Sequence, residues 1–158
     1  MSAIDTLVTD RSRGDVDRWG QLRAKGWAGM SAAERDEWLA GMKGAYNATD
    51  LNRVGQAMQY IADRLHGYGY AVEIAPKTDW LMIDIPSKAQ LDRYACDIAA
   101  LRQAVSVYTS TPETPVNAEK LTYQRANDIE KILVDLDEII TKIAAAWYYS
   151  GDFYAGEV

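Results

Sequence analysis

The chain has 158 residues, of which 48% are hydrophobic and 25% charged, and this composition predicts one folded domain spanning 1–158. Its formal net charge of −6 argues against a nucleic-acid partner, because an acidic surface repels the phosphate backbone. Since no apolar run is long enough to cross a bilayer, we expect no membrane span.

Helical signals begin near the N-terminus, after residues 1–10, which we expect to form a flexible tail. One short helix is predicted over 15–25, ended by Gly26. A second follows Ser31, because Ser31 and Glu34 have the spacing of a capping box. A longer helix is predicted over 50–66, where apolar residues recur every three or four positions.

The segment 68–85 gives a weaker signal, because apolar and polar residues alternate there between prolines. A short strand pair and an irregular extended chain both fit it. A second long helix is predicted up to Val105, opened by Ser87 with Gln90 three residues later. The third and clearest covers 117–149. The expected fold class is therefore all-α (mainly), a helical bundle of three longer and about two shorter helices, with a short β or extended segment near 68–85.

The three longer helices each carry a narrow apolar face with near-heptad spacing. Such faces are buried either against one another or against copies from other subunits. Cys96, the single cysteine, lies in one of these patterns. We therefore expect a buried structural thiol.

Residues with catalytic potential are few. The single histidine, His66, stands at a predicted helix end, where capping is the expected role. The third helix carries a group of acidic residues: Asp128, Glu130, Asp135, Asp137 and Glu138. Asp135 and Glu138 have a spacing that metal ligands use. We nevertheless interpret the group as a solvated helix face. We expect no enzyme activity, no catalytic residue, no metal site and no cofactor.

Aromatic residues crowd the C-terminus, where a flexible tail over 150–158 would otherwise be expected. The candidate binding residues are Trp147, Tyr148, Tyr149, Phe153 and Tyr154. We expect aromatic rings near a chain end to pack on a surface, and two interpretations are open. They dock on this bundle or a neighbouring subunit, or they stack on the sugar rings of a saccharide.

A longer stretch of sequence carries a resemblance. The segment 38–55, Trp-Leu-Ala-Gly-Met-Lys-Gly-Ala-Tyr-Asn-Ala-Thr-Asp-Leu-Asn-Arg-Val-Gly, resembles part of prophage-encoded structural proteins. The similarity continues through 77–80, 84–86, 126–133 and 147–151. It implies a domain of phage tail, fibre or baseplate proteins.

The function that this resemblance implies is that of a non-enzymatic phage or prophage virion structural protein, acting through helical packing and oligomerisation. Its partners would be other copies of itself or other virion proteins. It would reside in the bacterial cytoplasm during assembly and then in the virion. Two alternatives stay open: a module that recognises host cell-surface saccharide through the C-terminal aromatic residues, and an intracellular helical adaptor.

Overall fold

Local capping signals set the start of most helices. The computed structural model describes residues 2–116 and 121–151, with side chains up to residue 146. Side-chain caps with reciprocal hydrogen bonds precede the first four α-helices, and the residues at these caps are Ser12, Ser31, Asn47 and Ser87. The described α-helices are α1 (Arg13–Gly29), α2 (Ala32–Ala40), α3 (Ala48–Gly67), α4 (Lys88–Gln103) and α5 (Tyr123–Gly151).

The mainly all-α fold is confirmed, and the ends of α1 and α5 can be compared with the predicted bounds. The helical geometry of α1 is interrupted at Gly26, whose φ of 66° is left-handed, as the sequence predicted for the end of the first helix. Helix α5 begins at Tyr123, because Thr122 caps it by accepting a hydrogen bond from the Arg125 amide. The predicted start at residue 117 lies outside the described residues.

The core is a three-helix bundle in which α3, α4 and α5 contact one another. The near-heptad apolar faces of these helices pack against one another, so they are buried within a single chain. The largest fully buried apolar side chains of the bundle are Met58, Ile61 and Leu65 of α3, Ile98 and Leu101 of α4, and Ile129, Ile132, Leu133, Leu136 and Ile140 of α5. No described helix is both long and apolar enough to span a membrane.

The N-terminal segment packs on this bundle, where the sequence had led us to expect a flexible tail. A short 3₁₀ helix (Ala3–Thr6) contacts α3 and α5. Ile4 and Leu7 lie against the core. These apolar contacts, with that of Ala3, and the hydrogen bonds described below hold this segment in place.

Helices α1 and α2 form a separate hairpin, which we call the arm. They pack on each other, and Leu22 is the only residue within either helix that is buried. Ion pairs provide further contacts between the two helices: Arg18 pairs with Glu37, and Lys25 pairs with Glu34. The Lys25 ammonium lowers the pKa of the Glu34 carboxyl to about 2.

Both ends of the arm return to one point on the bundle. Lys43 donates to both carboxylate oxygens of Asp10, at 2.9 and 2.7 Å, and this closes the base of the arm. Gly44 lies so close to α1 that a Cβ there would overlap the carbonyl oxygen of Asp15. The arm is therefore an excursion from the bundle that begins and ends beside Asp10.

The segment between α3 and α4 is irregular, with no strand anywhere in 68–85, so the extended-chain alternative is correct. His66, at the end of α3, places its Nε2 atom 2.9 Å from the Val72 carbonyl oxygen and thereby fastens the start of this segment. Further along, the side chain of Asn52 in α3 donates a hydrogen bond to the Trp80 carbonyl oxygen at 2.9 Å and accepts one from the Trp80 amide at 2.7 Å.

Candidate functional site

A buried cluster of four charges joins the N-terminal segment to α3 and α5. Arg11 contacts Glu130 at 2.6 Å and Asp50 at 3.0 Å. Arg53 contacts the same two carboxylates, at 3.1 and 2.6 Å. The side chains of Arg11 and Glu130 are 2% and 0% exposed, and the two positive charges balance the two negative ones. Burial is tolerated because each charge has opposite partners.

Backbone groups also take part in this cluster, since the Val8 amide donates to Glu130 at 2.5 Å and Arg11 donates to the Val8 carbonyl oxygen at 2.7 Å. Burial alone would lower the pKa of Arg53, but the hydrogen bond and the charge of Glu130 raise it overall. The cluster therefore serves to fasten three segments together.

Two tyrosines extend from this cluster, the half-buried Tyr46 and the buried Tyr94. The guanidinium of Arg11 lies over the Tyr46 ring, 5.4 Å from its centre, and the Tyr46 hydroxyl is 2.5 Å from that of Tyr94. Burial raises the pKa of both hydroxyls above the ordinary value for tyrosine. Both remain neutral near pH 7 and supply an amphipathic surface to the cavity next to them.

That cavity is a cleft of about 940 Å³ at the base of the arm, and we call it the basal cleft. The arm contributes Trp19 and Trp38, and α4 contributes Leu91 and Tyr94. Tyr123 at the start of α5 closes another side. Aromatic and aliphatic walls with a few polar groups are typical of a binding site.

The charged side chains of the basal cleft have one sign. Among the described residues that line it, Arg11, Arg13 and Lys43 are cationic and none is acidic, although the chain as a whole has a net charge of −6. Lys43 and Arg13 are paired with Asp10 and Asp17 at exposed positions. Exposed pairs of this kind are weak, so both cations can turn toward an incoming carboxylate.

Comparisons of the chain with protein-family models, curated proteins and solved structures gave no match.

An exposed apolar loop borders the basal cleft. We call residues 81–85 the apolar loop; Leu81, Met82, Ile83 and Ile85 are 60%, 73%, 84% and 91% exposed. Its first end is fixed, because the preceding Trp80 is buried. A turn forms within the loop, where the Leu81 amide donates to Asp84 at 2.9 Å. Soluble monomers rarely expose several large apolar side chains side by side. The loop therefore has the character of a contact surface.

The site residues predicted from the sequence fall mostly outside this region. The side chains of the candidate binding residues lie outside the described part of the chain: Trp147, Tyr148, Tyr149, Phe153 and Tyr154. Cys96 is exposed, so the expectation of a buried thiol is wrong. Its neighbour Ala95 is buried instead, because successive residues of a helix face different directions.

The interpretation of the acidic residues of α5 as one solvated face is wrong at two positions. Glu130 lies in the buried cluster, and Asp135 is buried against Thr111, which donates to it at 2.8 Å. Glu138 is exposed and pairs with Lys142. Within the described residues, no group of three or more potential metal-binding side chains was found.

Sequence reasoning missed the charge cluster and the apolar loop. A signal for Glu130 was present, since it stands four residues after the buried Ala126 and three before the buried Leu133. That spacing places a residue on the apolar stripe of a helix. The apolar residues at 81–85 fall in the segment 68–85, where the sequence is compatible with a short strand pair or an extended chain and does not show which side chains are exposed.

Proposed function

We propose that the chain is a non-enzymatic structural protein of a phage or prophage particle, a tail, fibre or baseplate component that works by binding other protein surfaces. The observation that carries this proposal is the apolar loop, whose Ile83 and Ile85 side chains are 84% and 91% exposed. Leaving such side chains in water is unfavourable by roughly 1.5–3 kcal/mol each relative to burial. A partner surface removes that penalty.

The anchoring of the loop supports the same proposal. Gly55 of α3 allows the backbone of Lys77 to approach so closely that a Cβ would lie 2.8 Å from its carbonyl oxygen. Asn52 holds the next turn of backbone at Trp80. A surface that is already ordered loses little conformational entropy on binding, which favours permanent assembly. The resemblance of residues 38–55 to prophage structural proteins supplies the biological setting.

Incorporation into particles tests the proposal directly. In the strain that carries the gene, the chain would be tagged, the prophage induced, and the particles purified on a density gradient. We expect the chain to co-sediment with the particles at a constant ratio to the other virion proteins. Its recovery only in the soluble fraction of the lysate would contradict the proposal.

Two variants connect this result to the loop. The double variant Ile83→Ser, Ile85→Ser should accumulate normally but be lost from particles, since both side chains are exposed in the folded chain. Leu39→Ser is the matched control, because Leu39 is 72% exposed on the arm and does not belong to the loop. It should be incorporated like the unaltered chain.

A further inference from the structure

Self-association of this chain requires a surface other than its helical seams. The apolar faces of α3, α4 and α5 are buried against one another, as Ile61, Ile98 and Leu136 are each 0% exposed. The basal cleft and the apolar loop remain open. They share a border, because Met82 of the loop and Pro86 just after it line the cleft.

We propose that a second copy of this chain occupies the basal cleft, with the apolar loop of each copy inserted into the cleft of the other. This inference rests on the proposed function as an assembly protein and names one partner for it. In a two-fold dimer the same patch is used on both sides and must be self-complementary. A projecting loop beside a receiving cleft satisfies that requirement.

The chemistry of the two surfaces matches. The loop offers Met and aliphatic side chains, and the cleft offers the rings of Trp19, Trp38 and Tyr123. Aromatic residues and methionine are enriched where protein interfaces are fully buried. The cleft, at about 940 Å³, is large enough to receive several side chains at once.

The charges of the loop segment and of the cleft are complementary, which favours a second copy as the partner. Residues 77–86 carry Asp79 and Asp84 against a single cation, Lys77, so this segment has an excess of one negative charge. The Asp79 side chain is 84% exposed and pairs with Lys77. Exposed pairs of this kind are weak, so Asp79 can exchange this partner for another cation. Across the proposed interface it would face the cationic lining of the cleft, where Arg13 is 76% exposed. Opposite charges at the rim set the register of such a contact.

Sedimentation velocity on the purified full-length chain, from low to high micromolar concentration, tests the association. We expect a reversible dimer. The double variant Ile83→Ser, Ile85→Ser should raise the dissociation constant by at least about a hundredfold, because two large apolar side chains per copy no longer gain from burial. The control Leu39→Ser should leave it unchanged. A chain that is monomeric throughout, or a double variant that dimerises like the control, overturns the proposal.

Disulfide trapping locates the contact. In a Cys96→Ser background, chains with Ile83→Cys in the loop would be mixed with size-tagged chains that carry Gln124→Cys in the lining of the cleft. We expect a mixed disulfide. Chains with Gln59→Cys serve as the control, because this exposed position lies eight residues beyond Leu51, or about 12 Å further along α3. Equal trapping of both pairs overturns the assigned docking.

Different experimental results would overturn the two proposals. If the chain is found in particles but the purified protein remains monomeric, the docking of a second copy is overturned and the proposed function stands. If it forms the loop-in-cleft dimer but is never incorporated into particles, the proposed function is overturned and the docking stands.

Discussion

Glu130 shows how a single residue connects parts of the chain that are distant in sequence. Its side chain is 0% exposed, yet its oxygens accept hydrogen bonds from Arg11, Arg53 and the Val8 amide. A buried carboxylate is tolerated only with such partners, because the loss of hydration must be offset by opposite charge. The residue therefore stabilises the position of the whole N-terminal segment on α5.

Replacing this carboxylate tests its importance. Glu130→Gln leaves Arg11 and Arg53 with Asp50 alone, so that one buried positive charge is uncompensated. We expect the free energy of unfolding to fall by about 3–5 kcal/mol in urea titrations. The control Glu138→Gln removes an exposed pair with Lys142 and should change it by at most about 1 kcal/mol. Similar losses for both variants would show that burial of the cluster is not what matters.

The pair Tyr46 and Tyr94 predicts a response to high pH. Burial raises the pKa of both hydroxyls in the folded chain, while in the unfolded chain they ionise near the ordinary value of 10.0. Since the unfolded state loses these protons first, the stability due to the pair is complete below pH 10 and declines as the pH rises above it.

Spectrophotometric titration can resolve this pair among the ten tyrosines. We expect two tyrosines to remain neutral until the protein unfolds in alkali, and the double variant Tyr46→Phe, Tyr94→Phe to lack that late phase. Tyr108→Phe, at a partly exposed ring beside Lys142, is the control and should retain it. Ionisation of all tyrosines in one step on the folded protein would contradict the prediction.

At the scale of elements, the arm depends on close packing at its base. Gly44 has no room for a Cβ beside the Asp15 backbone, whereas a Cβ at Gly20, in the middle of α1, meets nothing within 4 Å. Gly44→Ala should therefore lower the free energy of unfolding by about 1–3 kcal/mol through forced displacement of the arm. Gly20→Ala should raise it by about 0.5–1 kcal/mol, because alanine is the better helix former.

Urea unfolding of the two glycine variants makes the comparison, with the unaltered chain measured alongside. The two substitutions should change the free energy of unfolding in opposite directions. If Gly44→Ala left the free energy of unfolding unchanged, the arm would be free to move at its base. The ion pair between Asp10 and Lys43 would then have little effect on the position of the arm.

Elements whose signals are local could be predicted from the sequence. The capping boxes at Ser31 and Ser87 and the break at Gly26 involve residues at most three positions apart, and each was located correctly. What sequence could not supply were pairings over long separations. Glu130 meets Arg11 across more than a hundred positions, and no pattern near either residue specifies the other.

The basal cleft was unpredictable for the same reason. Its walls come from the arm, α3, α4 and the start of α5, so Trp38 and Tyr94 become neighbours of one cavity only through the tertiary fold. Trp19 and Trp38 are only partly buried. They line a surface that is open to a partner.

At the scale of the whole molecule, stability is unevenly distributed. The bundle holds nearly all of the fully buried large side chains, while Leu22 is the one that belongs to the arm. Within the arm, the two helices are held to each other mainly by surface ion pairs such as Arg18 with Glu37, which contribute little individually. Regions with few buried apolar contacts open at a lower free energy than the global unfolding transition.

Hydrogen exchange followed by mass spectrometry tests this division. Backbone amides of 14–40 should exchange through local opening, faster than those of 54–65 and 129–140, where Leu65 and Leu136 are 0% exposed. Raising the salt concentration should accelerate exchange in the arm and leave the bundle unchanged, because it screens the exposed pairs of Arg18 and Lys25. Arm peptides protected as strongly as those of α5, or a salt effect common to all peptides, would contradict a weakly held arm. In a dimer formed through the basal cleft, the arm would gain protection as the protein concentration rises, because Trp19 and Trp38 would then lie against the partner's loop.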